Sequence, residues 1–317
     1  MILVLGFYDK GNIGDELFKK AFVNLFPNSS LKFVSTLSEV DVTNSEGIIL
    51  GGGSFLGGKI SGSSKALENL KTKPVFYFGV GVEAHIDPQH LELLSLAKLI
   101  VIRNPDGLDK IRKINPSVIC LPDIVYSLTG KSEKLVQQDR VLIVTNSLVV
   151  PKVKDPYWKH ASWQYFKSEF SQFLDCLVSD GYHLDFLSMC DNPVNKDFYA
   201  TIEILNSMTS ISKNVGFVDA NPDNVIDLFA QYPTIVTQRF HGIVLSQMNN
   251  RKTISIAHHD KLHSSYPFNG RSLSYYGLTK NQLLSAFYGG VDNNHIEIDK
   301  KSYFDAASLI LKEINNK

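Results

Sequence analysis

The chain has 317 residues, with 32 basic and 32 acidic side chains, no formal net charge, 44% hydrophobic and 20% charged residues. That length allows about two domains with sizeable cores, and the balanced charge excludes a broad electrostatic footprint for nucleic acid. Three cysteines without close pairing make neither a disulfide framework nor a zinc motif, and no apolar run approaches the ~18 residues of a membrane span, so a cytoplasmic chain without an integral membrane segment is expected.

Residues 1–5 read as a buried strand that Gly6 ends. A loop with Gly11, Asn12 and Gly14 follows, and Asp15 and Glu16 open a helix with Leu17, Phe18, Phe22 and Phe26 on or near its buried side. The glycine spacing is not the dinucleotide fingerprint, and no Lys-Ser/Thr follows to make a P-loop. Taken alone, Asp15 reads as a first-turn carboxylate favoured by the helix dipole. Strands follow at 31–35 and 47–50, the latter running into Gly51, Gly52 and Gly53, where backbone must approach a ligand or a neighbouring chain segment closely. A strand at 75–78 ends in Gly79 and Gly81, a helix covers 88–98, and the strand at 99–102 delivers Arg103 and Asn104. The strand at 118–121 ends in Pro122 and Asp123.

Polar residues around 130–139 interrupt the rhythm, which restarts with a strand at 141–145, a helix from about 162 to 179 and a strand at 183–187. A helix at 195–208, a strand at 215–218 and a helix at 223–231 lead to the apolar run 234–236. There Arg239, Phe240, His241 and Gly242 open a helix that Asn249 and Asn250 close. A strand at 253–256 runs into His258, His259, Asp260 and Lys261, and helices at 283–288 and 303–314 end the chain. Alternating short strands and helices predict an α/β fold of two Rossmann-like doubly wound domains facing a cleft. The expected division is 1–130, a linker at 131–139, and 140–317 including the closing helices.

The chemistry-bearing residues follow strands. In a doubly wound sheet those positions share the carboxyl edge, where ligands bind. A lone arginine or histidine is usually a surface ion pair or a satisfied polar group. Beside a helix start, however, the backbone N–H groups and dipole already favour an anion, which places anion binding at Arg239 and His241 ahead.

The run Asn12-Ile13-Gly14-Asp15-Glu16, the triple glycine, the glycine pair after the strand at 75–78, Arg103, Pro122-Asp123, Arg239-Phe240-His241 and Lys261 stand in an order that resembles the polysaccharide pyruvyl transferases. Asn104 stands where that family usually has an acidic residue, and Phe240 where it has leucine. The resemblance implies a GT-B-like fold and transfer of pyruvate from phosphoenolpyruvate onto a sugar or glycan as a cyclic ketal. It implies donor binding by Arg239, Arg103, Lys261 and the helix start at Gly242, with His241 as general acid or acid/base. Asn12, Asp15 and Glu16 are the acceptor-side candidates, Asp15 also as the group that deprotonates a hydroxyl. Trp158 offers an aromatic platform for a sugar; for Trp158 and Trp163 as a pair, a packed domain interface is the preferred reading. No metal or cofactor is expected: His241, His258, His259 and His263 have no carboxylate-rich company, and the chemistry needs none. An oligomer is allowed. A glycosyltransferase using a nucleotide sugar and a non-catalytic glycan-binding relative are the alternatives.

Overall fold

The computed structural model describes residues 1–130, 136–147, 156–192, 196–210, 214–258, 267–268, 270–290 and 297–316. The chain divides into two compact units, one of Met1–Lys10, Gly14–Leu128 and Glu297–Lys317, the other of Gly11–Ile13 and Thr129–Ile296.

The first unit holds β1 (Ile2–Leu5), β2 (Leu31–Val34), β3 (Gly47–Gly53), β4 (Val75–Val80), β5 (Leu99–Ile102) and β6 (Val118–Cys120) in the spatial order β2-β1-β3-β4-β5-β6. Every pairing is parallel, with Ile2 opposite both Leu31 and Gly47. Strands β1, β3, β4 and β5 are buried throughout, as expected where helices cover both faces of a parallel sheet. The helices are α1 (Ile13–Leu25), α2 (Glu39–Asn44), α3 (Ser64–Leu70), α4 (Pro88–Leu96) and α5 (Leu108–Arg112). Asp87 caps α4 by accepting from Gln89 N–H at 3.0 Å, with Pro88 in the first turn.

The second unit holds β7 (Arg140–Val144), β8 (His183–Leu187), β9 (Val215–Phe217), β10 (Thr234–Thr237), β11 (Lys252–Ala257) and β12 (Arg271–Ser274), ordered β12-β11-β10-β7-β8-β9 and again all parallel. Its helices are α6 (Pro156–Ser179), α7 (Asp197–Leu205), α8 (Val225–Phe229), α9 (Phe240–Met248) and α10 (Lys280–Tyr288). Each sheet therefore reverses its winding once, between β1 and β3 in the first and between β7 and β10 in the second.

Three features differ from the sequence expectation. The terminal helix α11 (Lys300–Asn315) packs with the first unit, not with 140–317. Lys300 Nζ donates to Leu128 O at 2.7 Å, and Tyr303 Oη donates to Asp123 O at 3.4 Å. A Cβ on Gly47 would meet Ile314 at 2.7 Å, so glycine admits the helix against the start of β3. Helix α6 begins at Pro156, six residues earlier than its aromatic spacing indicates, because proline's fixed φ suits a first helical position. Strand β12 has the polar sequence RSLS and only partial burial, so it carries no apolar signal. The expected linker lies partly outside the described residues. No helix among the described residues is long and apolar enough to cross a membrane.

Candidate functional site

The turn from β10 into α9 is built by its own side chains. Thr237 Oγ1 accepts from Arg239 N–H at 3.0 Å and donates to Arg239 O at 3.2 Å, which turns the chain and leaves Arg239 extended at the N-cap of α9. A Cβ on Gly242 would lie 2.1 Å from that hydroxyl, so the helix can sit this close to the strand only with glycine there. Gly242 is thus used for packing beneath the helix start. His241, 9% exposed, sits in the first turn, where N–H groups lack partners inside the helix.

The guanidinium of Arg239 is clamped by Asp197, the first residue of α7. Arg239 Nε donates to Oδ2 at 3.0 Å and Nη2 donates to Oδ1. Asp197 is fully buried and also accepts Ser147 N–H at 3.1 Å and Cys190 N–H at 3.0 Å. Those amides fix the carboxylate, and the carboxylate holds the planar cation in one orientation. The loop after β8 is tied in turn to Gly11–Ile13: Asn12 bridges Cys190, and Asp191 N–H donates to Gly11 O at 3.0 Å. Gly11 has φ +68°, and a Cβ there would meet Asp191 O at 2.8 Å. Asn12 therefore stands one hydrogen-bonded residue away from the Asp197 clamp.

Between β7 and β10, at the winding reversal, the side chains are polar. Asn146 N–H donates to Gln238 Oε1 at 3.1 Å, and Asn146 Nδ2 lies 3.2 Å from His258 Nε2, within hydrogen-bond distance. Gln238 is 2% exposed, and its Nε2 has no hydrogen-bond partner among the described residues. A buried donor without a partner costs about 1–3 kcal/mol and marks a place ready for an acceptor atom. Asp197 and Gln238 were not singled out from sequence. A first-turn aspartate reads as a dipole effect, and a glutamine beside an arginine carries no periodic signal.

Asp15, Glu16, Arg103 and the triple glycine belong to the first unit. The triple glycine is filled by α1: a Cβ on Gly52 (φ +86°) would lie 2.5 Å from Phe18, and one on Gly51 would lie 2.7 Å from Phe22. The partner of that close approach is a neighbouring helix. Gly53 (φ +82°) instead leaves room beside Asp15, whose Oδ1 would be 3.7 Å from its Cβ. Glu16 secures the β1–α1 loop by accepting Asp9 N–H at 2.6 Å and pairing with Lys19 at 2.7 Å, where Asp9 holds a left-handed φ of +57°. Arg103, 6% exposed, pairs with the fully buried Asp123 at 2.7 Å and reaches Ser54 Oγ at 3.4 Å. Asn104 pairs with Val82 as a strand would, accepting its N–H at 2.7 Å and donating to its carbonyl at 3.1 Å. An acidic side chain could not make the second bond.

Trp158 and Trp163 part company. Trp163 stacks on Phe166 and donates to Glu203 at 2.6 Å, whereas Trp158 is 60% exposed beside a pocket. A shared packed interface is therefore wrong for Trp158, which sits on the outward face of the first turns of α6. Lys261, His259 and His263 lie outside the described residues, among which no group of three potential metal-ligating side chains occurs.

Among solved structures the chain is similar to UDP-GlcNAc 2-epimerases. That from Methanocaldococcus jannaschii gives a TM-score of 0.64 at 6% identity over 100% of this chain and 99% of that one. The Rickettsia bellii enzyme gives 0.60 at 10% identity over 99% and 96%. The Neisseria meningitidis enzyme, bound to UDP-GlcNAc, gives 0.58 at 10% over 100% and 99%. Such identities speak to fold alone, here the GT-B pattern of two Rossmann-like domains. No curated protein matches the chain by sequence. A family model for polysaccharide pyruvyl transferases matches residues 12–260. That span opens at the asparagine tied to Cys190 and includes the whole Arg239–Asp197 clamp and the His241 helix start. By that match over most of its length, the chain belongs to the polysaccharide pyruvyl transferase family.

Proposed function

We propose that the protein transfers pyruvate from phosphoenolpyruvate to two hydroxyls of a sugar, forming a cyclic ketal and releasing inorganic phosphate. The observation that carries this reading is the β10–α9 turn, where a guanidinium fixed by a buried carboxylate stands directly before a helix start with a histidine in its first turn. Arg239 and the first turn of α9 would hold the anionic groups of the donor, since a preoriented cation and helix N–H groups bind an anion without reorganising. Anionic charge beside His241 favours its imidazolium. That imidazolium gives its proton to the donor's methylene carbon, which becomes a methyl group and leaves an oxocarbenium-like C2. One sugar hydroxyl adds to C2, the C2–O bond to phosphate breaks with the electron pair leaving on phosphate, and the second hydroxyl closes the ring. Each hydroxyl gives up its proton as its C–O bond forms.

The test is acceptor-dependent phosphate release from phosphoenolpyruvate with galactose-, mannose- and N-acetylmannosamine-containing acceptors. His241→Ala is expected to lose about 10²–10⁴-fold in kcat while the donor still raises the melting temperature. Arg239→Ala is expected to abolish that donor shift. Donor binding lost in the histidine variant and kept in the arginine variant would reverse the roles. No release with any acceptor, together with tight UDP or GDP binding, would favour the nucleotide-sugar alternative.

A further inference from the structure

A concavity of the second unit lies outside the Arg239 clamp. The first turns of α6 and the turn between β12 and α10 enclose about 270 Å³, lined by Trp158, Ser162, Tyr165, Tyr275, Tyr276 and Gly277 among others. Three of its rings face solvent: Trp158 is 60% exposed, Tyr276 51% and Tyr165 45%. The fourth is the floor. Tyr275 is buried, donates its hydroxyl to Ser162 O at 3.2 Å and packs on Phe166 at 4.7 Å between ring centres. Phe166 in turn stacks with Trp163 at 5.9 Å and Phe170 at 5.2 Å, so the wall behind the pocket is a column of packed rings. Gly277 has φ +69° and nothing within 4 Å of a built Cβ, which keeps that side open.

We propose that this pocket binds one pyranose ring of the acceptor glycan. Among the described residues its lining has no ionisable group other than tyrosine, so nothing described there neutralises a phosphate or carboxylate, and a neutral ligand fits it better than the donor. Among the described residues no carboxamide lines it either, so the described lining lacks the side chains that read the edges of a nucleobase. Exposed aromatic faces with hydroxyls at their margins suit a ligand with an apolar C–H face and a hydroxyl rim. The volume falls just under the ~300 Å³ at which pockets for larger ligands begin, which suits a single ring. The pocket also stands on the edge that the chemistry uses. Tyr275 N–H donates to Ala257 O, the residue before His258, and β12 lies two strands from β10, roughly 10 Å along the sheet. That the bound sugar is the acceptor rests on the pyruvyl transfer reading; that the pocket takes a sugar does not.

In a Trp163→Phe background Trp158 is the sole tryptophan, and its emission can be titrated with methyl galactoside, methyl mannoside, N-acetylmannosamine, uridine and phosphoenolpyruvate. At least one glycoside is expected to change the emission saturably, with uridine and phosphoenolpyruvate silent, and Tyr276→Ala is expected to weaken the response roughly tenfold. In turnover, Trp158→Ala and Tyr276→Ala should raise the acceptor KM by a similar factor and leave the KM for phosphoenolpyruvate and kcat unchanged. Both side chains are exposed, so unaltered thermal unfolding is expected to show the variants folded. Silence with every sugar, a saturable response to uridine, or an unmoved acceptor KM overturns the proposal. A saturable sugar response in a protein that transfers no pyruvate overturns the transfer reading and leaves the sugar site standing.

Discussion

The two sheets reverse their winding in the same way and furnish the reversal differently. In the first unit the crevice between β1 and β3 is plugged. Tyr8, fully buried, lies over Gly6, where a Cβ would come within 2.5 Å of its ring, and donates its hydroxyl to Gly51 O at 3.0 Å. Burial pushes its phenol well above the usual range, with Asp15 and Glu16 adding to the shift. In the second unit the crevice between β7 and β10 holds Asn146, Gln238 and His258, with the Arg239–Asp197 clamp at its side. A switch point is a place where a ligand can bind, and among the described residues the polar one carries the groups suited to it. Gly51 and Gly52 at the first rim serve packing of the chain on itself; on the proposed function, charges at the second serve recognition.

The largest effect should come from breaking the second rim. Asp197→Ala strands a nearly buried arginine and two backbone amides, and is expected to cost about 3–5 kcal/mol in urea unfolding and to abolish the donor's thermal shift. A change under 1 kcal/mol would mean that the clamp is not what orders this rim. Gly52→Ala tests the first rim in the opposite sense. A left-handed φ and a 2.5 Å approach to Phe18 predict a loss of about 3 kcal/mol with donor binding unchanged in the folded fraction. Loss of donor binding without loss of stability would show that the triple glycine serves the ligand after all.

A pH dependence separates the units further. His90 is fully buried with Tyr77 Oη at 2.9 Å from its Nδ1, and burial holds its pKa down at about 4 from the ordinary 6.5. The folded state keeps it neutral while the unfolded chain takes up a proton between those values. Stability is therefore fully present above about pH 7 and falls as the pH drops from about 6.5 to 4, by up to about 3 kcal/mol. His90→Phe should remove that component of the urea midpoint's pH dependence; an unchanged slope would place it elsewhere. The smallest effect belongs to Asn104→Asp, which loses the bond to Val82 O and sets a carboxylate against a carbonyl. About 1–2 kcal/mol is expected, and a neutral outcome would show that the pair with Val82 contributes nothing.

The sequence by itself determined the class of fold and which residues stand at the carboxyl edge of each sheet. Buried parallel strands are continuous apolar runs, and turns need glycine, proline and asparagine, so both signals are local and survive without coordinates. The Arg239–His241 turn was legible for the same reason: strand, turn and helix start are contiguous. What the tertiary structure alone decided depends on contacts between residues far apart in the chain. Gly51 and Gly52 answer to phenylalanines more than 25 positions earlier, Arg239 to an aspartate 42 positions away, and the last helix to the first unit. Trp158 and Trp163 share a helix and a composition, yet Trp163 packs partly buried against the core and Trp158 is exposed, because only packing against α7 and the β12–α10 turn distinguishes their faces. Local propensity specifies elements; the partner that satisfies a buried charge or fills the space above a glycine is a property of the assembled fold.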